Sequence, residues 1–246
     1  MFLKALKLAS SIFSEDLAMS DRLLDAFFAP SNFQRAWRKV ADNQGCAGVD
    51  GETVAQFATR APENLAKLRK ALLTGNYRPL PLLQFFIPKQ SGGWRNLAVP
   101  TVRDRIVQQA LLNVLHPLME REFEASSYAY RPHRGHHQAV RQIQTWRDRG
   151  YQWVLDGDIV EYFENVRHPR LLDEVEERLD HPLVLWLVEA WLEAGILTKE
   201  GLILPEKGLP QGAVISPILA NVYLDDFDEM LAKTNLKLVR YADDFL

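Results

Sequence analysis

Apolar residues recur at helical spacing over the first third of the chain and give way further on to short extended runs. Leu23, Leu24, Phe27 and Phe28 share one face, Pro30 and Ser31 interrupt, and Phe33, Trp37 and Val40 resume the period. Residues 1–45 therefore read as amphipathic helix. Asn43 to Gly51 (NQGCAGVDG) is a glycine-bearing turn. A second helix is predicted from about Thr53, with Leu65, Leu68, Leu72 and Leu73 at helical intervals and Gly75-Asn76 at its end. From Tyr77 the segment YRPLPLLQFFIPKQSGGWRNLAVP is rich in proline and aromatics, with Ser91-Gly92-Gly93 between two apolar runs, and predicts a β-hairpin with a flexible tip. Pro100-Thr101 opens a helix through Ile106, Ala110, Leu111 and Val114. Tyr151 to Val160 (YQWVLDGDIV) reads as a buried strand, followed by helices near Pro169–Leu179 and Pro182–Ala194 and a second hairpin in GILTKEGLILPEKG. Ser216 to Leu231 is a long helix, with Ser216 as cap and Pro217 at its first position. Lys237 to Tyr241 is a closing strand. The pattern predicts helices packed on a sheet, an α+β fold.

The 246 residues suit one large domain or two coupled ones. Apolar residues at 47% and charged residues at 25% exclude disordered and fibrous classes. A single cysteine, Cys46, excludes a disulfide framework and a Cys-rich zinc module and fits a reducing compartment. The longest apolar run, Leu183 to Val188, is far short of the ~20 residues of a membrane span. Lys4 and Lys7 interrupt the apolar N-terminus, so no signal-peptide core is expected. The net charge of −3 argues mildly against a nucleic-acid partner. Residues 128–149 reverse that impression: Arg131, Arg134, Arg141, Arg147 and Arg149, with His133, His136 and His137, face one acid, Asp148, and Tyr128 and Tyr130 lie beside them. A basic stretch with aromatics is suited to a nucleic-acid backbone. The acidic Glu161–Asp180 region masks it in the global sum. With one cysteine and no partner cluster, the three histidines read as surface residues rather than zinc ligands.

Three carboxylates stand out by placement. Asp158 sits in a strand whose neighbours Trp153, Val154, Leu155, Ile159 and Val160 should be buried, which is costly without a partner or a metal. Asp243-Asp244 follow the short strand Leu238–Tyr241, where a hairpin turn would begin. Two strands bringing these three together would call for hard, oxygen-liganded divalent cations such as Mg²⁺. Spacing alone leaves a solvated reading open: acidic pairs such as Asp225-Asp226 and Glu176-Glu177 are expected on solvated helix faces, and Asp156 shares a side of the strand with Asp158.

Several blocks, in order, carry a resemblance over nearly the whole chain: GCAGVDGETV at Gly45–Val54, FFIPKQSGGWRNLAVPTVRDRIVQQAL at Phe85–Leu111, YAYRPHRGHHQAV at Tyr128–Val140, LDGDIVEYFENVRHPRLL at Leu155–Leu172, GLPQGAVISPILANVYLDDFDEML at Gly208–Leu231 and YADD at Tyr241–Asp244. Together they resemble a group II intron-type reverse transcriptase, a lineage that includes CRISPR-associated and retron-like relatives. The resemblance implies the fingers and palm of a right-hand polymerase. A helical N-terminal extension would cover residues 1–75, fingers 76–150, and a palm 151–246. It implies Asp158, Asp243 and Asp244 as catalytic carboxylates, with Ile159 joining them among the positions that hold two Mg²⁺ ions, Mn²⁺ being a substitute. Phe163, five residues after Asp158, takes the place of the aromatic under the incoming sugar, which implies dNTP rather than rNTP and assigns the role to Asp158 rather than Asp156. Lys89 and Arg95 fit the fingers positions that grip the triphosphate, a chemistry their charges suit. Gln211 and Gly212 match the loop against the nascent base pair, and Arg131 and Arg134 the template or primer contact. The implied partners are an RNA template, a DNA primer and dNTPs, with an intron RNA or CRISPR adaptation proteins beside them, and no membrane. The implied location is bacterial cytoplasm or organellar matrix.

The sequence stops two residues after Asp244, so the returning strand of the catalytic hairpin, the primer grip and the thumb are all expected to be absent, and a fraying Asp pair is expected to leave the chain with little activity alone. The alternative is a non-catalytic remnant that binds nucleic acid or a partner. An unrelated two-metal nuclease is disfavoured, because Lys89, Arg95, Phe163 and Gln211 serve nucleotide selection.

Overall fold

A computed structural model describes residues 22–89 and 92–246. The part of the N-terminal helical reading that falls on residues 1–21, and Gln90 and Ser91 at the hairpin tip, lie outside the described residues. Residues 22–28 are helical and α1 (Pro30–Asp42) follows after a break at Ala29. Pro30 starts α1 because its missing N–H and fixed φ cost nothing at a first turn. Leu23, Phe27, Phe33 and Val40 are buried as the periodicity predicts, and Leu24, Phe28 and Trp37 are half-buried. Asn32 is buried too, and its amide donates to the carbonyls of Phe27 and Ala110, tying the entry of α1 to the core. The predicted second helix divides into α2 (Val54–Ala58), closed by a Thr53–Gln56 capping box, and α3 (Ala61–Leu73).

The hairpin prediction holds for β1 (Leu82–Pro88) and β2 (Trp94–Val99), antiparallel from Leu83↔Val99 to Pro88↔Trp94. α4 (Val102–Glu122), capped by Thr101, is the central helix, and Ile106, Val107, Ala110, Leu111, Leu115 and Met119 bury it. Residues His136–Asp148, read only as a basic stretch, form helix α5. Then come β3 (Gly157–Asp158), α6 (Tyr162–Asn165), α7 (His168–Leu179), α8 (Pro182–Glu193), β4 (Ile196–Thr198), β5 (Gly201–Ile203), α9 (Ser216–Ala232), β6 (Arg240–Tyr241) and β7 (Asp244–Phe245). In α9 the cap position is Ile215 rather than Ser216. Ser216 is the first helical residue, and its buried hydroxyl has no hydrogen-bond partner among the described residues.

Two sheets result. One has the order β2-β1-β4-β5, with β1 parallel to β4, so it draws on chain from both sides of residue 150. The other has the order β3-β7-β6 and is antiparallel throughout. A buried polar relay locks α4 to α8: the Trp191 indole donates to the Tyr77 hydroxyl at 3.0 Å, which donates to Asp104 at 2.7 Å.

Three expectations change. Residues 151–156 are not a strand; pairing begins at Gly157, and Trp153 is 97% exposed and Leu155 76%. Neither sheet offers 151–156 a ladder partner, and an apolar run without one gains no burial. The returning strand is present as β7, and Val239 and Leu246 extend its pairing with two further backbone hydrogen bonds of 2.9 Å. Asp225, expected on a solvated face, is fully buried, whereas Asp226 and the Glu176-Glu177 pair are exposed.

Candidate active site

β6 and β7 form a hairpin whose two-residue turn is Ala242-Asp243. Ala242 has φ +62°, and Asp243 is not in the positive-φ region. That pattern follows the right-handed twist of a hairpin, and its first position ordinarily favours glycine. β7 is the middle strand: Asp244 pairs with Tyr241 on one side and with Asp158 on the other. Directly opposed residues of an antiparallel pair project on one face, so Asp158 and Asp244 stand side by side with Asp243 on the adjoining turn. Gly157, just before Asp158, is opposed by Phe245, whose ring occupies the space where a Cβ would stand. A side chain at 157 would have to displace the Phe245 ring.

Burial, and then the charges of Asp243, Asp158 and Asp156, hold the Asp244 carboxyl above its ordinary pKa. Asp156 thus belongs to the same electrostatic cluster. Among the described residues no three His, Cys, Asp or Glu side chains are grouped closely enough to hold a metal ion. The donor chemistry suits a hard cation all the same, being all oxygen and anionic, with Asp158 and Asp244 on one sheet face and Asp243 on the turn beside them. Ile159 has an apolar side chain packed against the main core and can offer a cation only its carbonyl.

A cavity of about 330 Å³ opens beside the hairpin. Arg95 of β2, Phe163 of α6, Gln211, Gly212 and Asp243 all line it, so most of the residues assigned to the nucleotide meet there. Lys89 is exposed at the tip of the β1–β2 hairpin, where its backbone N–H bonds Gly93, and it is not among the lining residues. The Gln211 amide donates to Glu164 at 2.8 Å, and its carbonyl accepts from Ala98 of β2 at 2.8 Å. Val214 donates to the Gln108 side chain of α4, fixing the loop from its other end. A Cβ on Gly212 would lie 3.0 Å from the Ala98 carbonyl oxygen, and its φ is +120°, so glycine is what lets this loop press against β2.

Tyr130, which the sequence groups with the basic segment, lines this cavity. Its ring meets Phe163 edge-on at 6.4 Å and 87°. Burial, Asp243 and Tyr241 raise its hydroxyl pKa, and Arg95 opposes them. Its φ of +61° is the local signal, and no periodicity reveals it.

The arginines assigned to the template are differently placed. Arg131 is buried, bonding both Glu120 oxygens at 2.9 and 2.8 Å and the carbonyls of Phe123, Glu124 and Ser127. Its donors are taken up inside the fold, where they tie the end of α4 to the 123–127 segment. Arg134 bonds the Ala125 and Ser127 carbonyls and reaches Glu120 at 3.3 Å. Although burial alone would raise it, the bonds and charges of Arg131 and Arg134 hold the Glu120 carboxyl below the usual range. Arg141, Arg147 and Arg149 remain exposed on and after α5, Arg149 over the Trp146 ring at 5.0 Å.

Comparison with known proteins agrees with this geometry. Residues 87–246 match the family described as "Reverse transcriptase (RNA-dependent DNA polymerase)". Protein YkfC of Escherichia coli K12 is 35% identical over 232 residues, covering 92% of this chain and 61% of YkfC. The group II intron-encoded protein LtrA of Lactococcus lactis is 29% identical over 222 residues, covering 89% of this chain and 36% of LtrA. A chain of the partial Cas6-RT-Cas1–Cas2 complex superposes with a TM-score of 0.57 at 29% identity, covering 91% of this chain and 37% of that one. The chain thus spans about three fifths of YkfC and little more than a third of LtrA. With the α+β architecture and the six ordered blocks, these likenesses identify the chain as a member of the reverse transcriptase family, of the group II intron type.

Proposed function

We propose that this domain carries out RNA-directed DNA polymerisation, adding dNTPs to a primer 3′-hydroxyl on an RNA template. The observation that carries the reading is the register Asp158↔Asp244, with Asp243 on the turn facing the cavity of Arg95, Phe163 and Gln211. The primer oxygen attacks the α-phosphorus, a P–O bond forms, and pyrophosphate leaves. Asp158, Asp243 and Asp244 would hold two Mg²⁺ ions, or Mn²⁺, and Ile159 would contribute its carbonyl. Bound there, the ions supply nucleophile activation and charge neutralisation at the leaving group. Arg95 offers the triphosphate a planar fork, assisted by Lys89 when the hairpin tip bends inward. Phe163 and Tyr130 form an aromatic wall for the sugar, and a ring at Phe163 disfavours a 2′-hydroxyl. Gln211 is held by Glu164 at the edge of the base-pair site. Arg134 and the exposed Arg141, Arg147 and Arg149, Arg147 being paired with Asp148, offer basic groups to a nucleic-acid backbone. In this reading an intron RNA or CRISPR adaptation proteins are the further partners, and bacterial cytoplasm or organellar matrix is the setting. No helix among the described residues is long and apolar enough to cross a membrane.

The test is extension of a DNA primer annealed to RNA by the purified chain, with Mg²⁺ and dNTPs, beside Asp158→Asn. Incorporation lost in the variant supports the reading. Equal, metal-independent turnover in both refutes it, and template binding without incorporation in either leaves the binding-module reading standing in its place.

A further inference from the structure

Arg240 is the largest side chain that is almost wholly buried, at 1% exposure. It precedes the catalytic turn by two residues, and all five of its N–H groups are engaged. Nε and one Nη bond the two oxygens of Asp228 on α9, itself fully buried. The same Nη bonds the Ser127 hydroxyl at 2.8 Å. The other Nη bonds Asn221 of α9 at 3.2 Å and the Ala242 carbonyl at 2.9 Å. The Arg240 backbone exchanges hydrogen bonds with Ser126 and Tyr128, on the loop that leads to Tyr130.

The contacts to α9 would dock the hairpin whatever the shape of its turn. The bond to Ala242 does something different. It closes a side chain onto the carbonyl of its own turn, at a residue whose φ of +62° is disfavoured for alanine. That carbonyl belongs to the peptide leading into Asp243, so holding it sets the orientation of the next residue. We infer that Arg240 is a positioning residue for the reaction. Its guanidinium holds the Ala242-Asp243 turn, and through Ser127 the Tyr130 loop, in the geometry that sets Asp243 and Asp244 beside Asp158. The inference rests on the polymerase reading of those three carboxylates.

The test compares the full chain with Arg240→Lys, Arg240→Lys/Ala242→Gly and Asp228→Asn. Lysine keeps the charge but cannot span five acceptors. Glycine removes the cost of positive φ, leaving the turn able to hold itself. Hydrogen exchange of the peptide covering residues 239–246 is read without substrate, and the half-saturating Mn²⁺ concentration and the dNTP KM are read in primer extension. In Arg240→Lys, turn exchange and half-saturating Mn²⁺ should each rise about tenfold, the effect of losing one charge-assisted hydrogen bond. The dNTP KM should change less, and adding Ala242→Gly should recover most of both losses. Asp228→Asn, which loosens docking but spares the bond to Ala242, should lower the melting temperature while leaving half-saturating Mn²⁺ near wild type, and it serves if Arg240→Lys does not fold.

The inference is overturned if Arg240→Lys loses stability while turn exchange and the metal requirement stay unchanged. It is equally overturned if Ala242→Gly recovers nothing, or if Asp228→Asn raises the metal requirement as much as Arg240→Lys. Failure of the polymerase reading is separate. It shows as turnover indifferent to Asp158→Asn, whereas hydrogen exchange at the turn still reports on the hold of Arg240.

Discussion

Gly212→Ala tests how the nucleotide loop is held. The residue has φ +120°, and a Cβ there would stand 3.0 Å from the Ala98 carbonyl oxygen. Neither side can give way cheaply: β2 is paired with β1 over six residue pairs, and the loop is tied to α4 through Val214 and Gln108. Backbone strain at such a φ costs about 2 kcal/mol. Opening the Ala98–Gln211 hydrogen bond costs about 1 kcal/mol more, for a total of about 3 kcal/mol. A chain of this length gains about 0.5 kcal/mol per kelvin of unfolding entropy, so the melting temperature should fall by about 6 °C. Displacing Gln211 from Glu164 should also raise the dNTP KM, with a smaller fall in kcat because the carboxylate hairpin is untouched. The assays are thermal unfolding by circular dichroism and steady-state primer extension. A variant melting within about 1 °C of wild type, with an unchanged KM, would refute the reasoning.

Two further predictions concern buried charge. Burial, with Asp228 and Glu229 adding and Arg178 opposing, pushes the Asp225 carboxyl up to about 6. The surrounding charged groups are Arg178, Arg170, Glu174, Asp226, Asp228 and Glu229. Because the folded state holds this proton more tightly than the unfolded chain, stability falls as pH rises from about 4 through about 6. Asp225→Asn should therefore gain about 2 kcal/mol on wild type between about pH 4.5 and about pH 7.5 in urea unfolding, and a pH-independent difference would contradict this. Arg131→Gln leaves Glu120 and three carbonyls short of a donor, so it should lose about 3 kcal/mol of stability with little change in the salt dependence of template binding. A stable variant whose salt slope drops by about one would return Arg131 to the template surface.

Local sequence was sufficient wherever a local rule decides the outcome. The 3.6-residue period located α1, α3, α7, α8 and α9, turn residues located the β1–β2 and β4–β5 hairpins, and the ordered blocks pointed to Asp158, Asp243 and Asp244, which the β3-β7-β6 sheet makes neighbours. Tertiary structure alone decided what distant partners determine. Arg131 reads as a nucleic-acid contact until Glu120 and three carbonyls surround it, and Asp225 reads as solvated until α7 brings Arg178 across. Tyr151–Val160 has the composition of a buried strand, yet only Gly157–Asp158 finds a ladder partner. Tyr130 enters the cavity beside the Ala242-Asp243 turn through a positive φ that no pattern of apolar residues encodes. The reason is common to all four. Periodicity and propensity act over a few residues, whereas the burial of a charge, the pairing of a strand and the meeting of two aromatic rings depend on groups far apart along the chain, which come together only once the chain has folded.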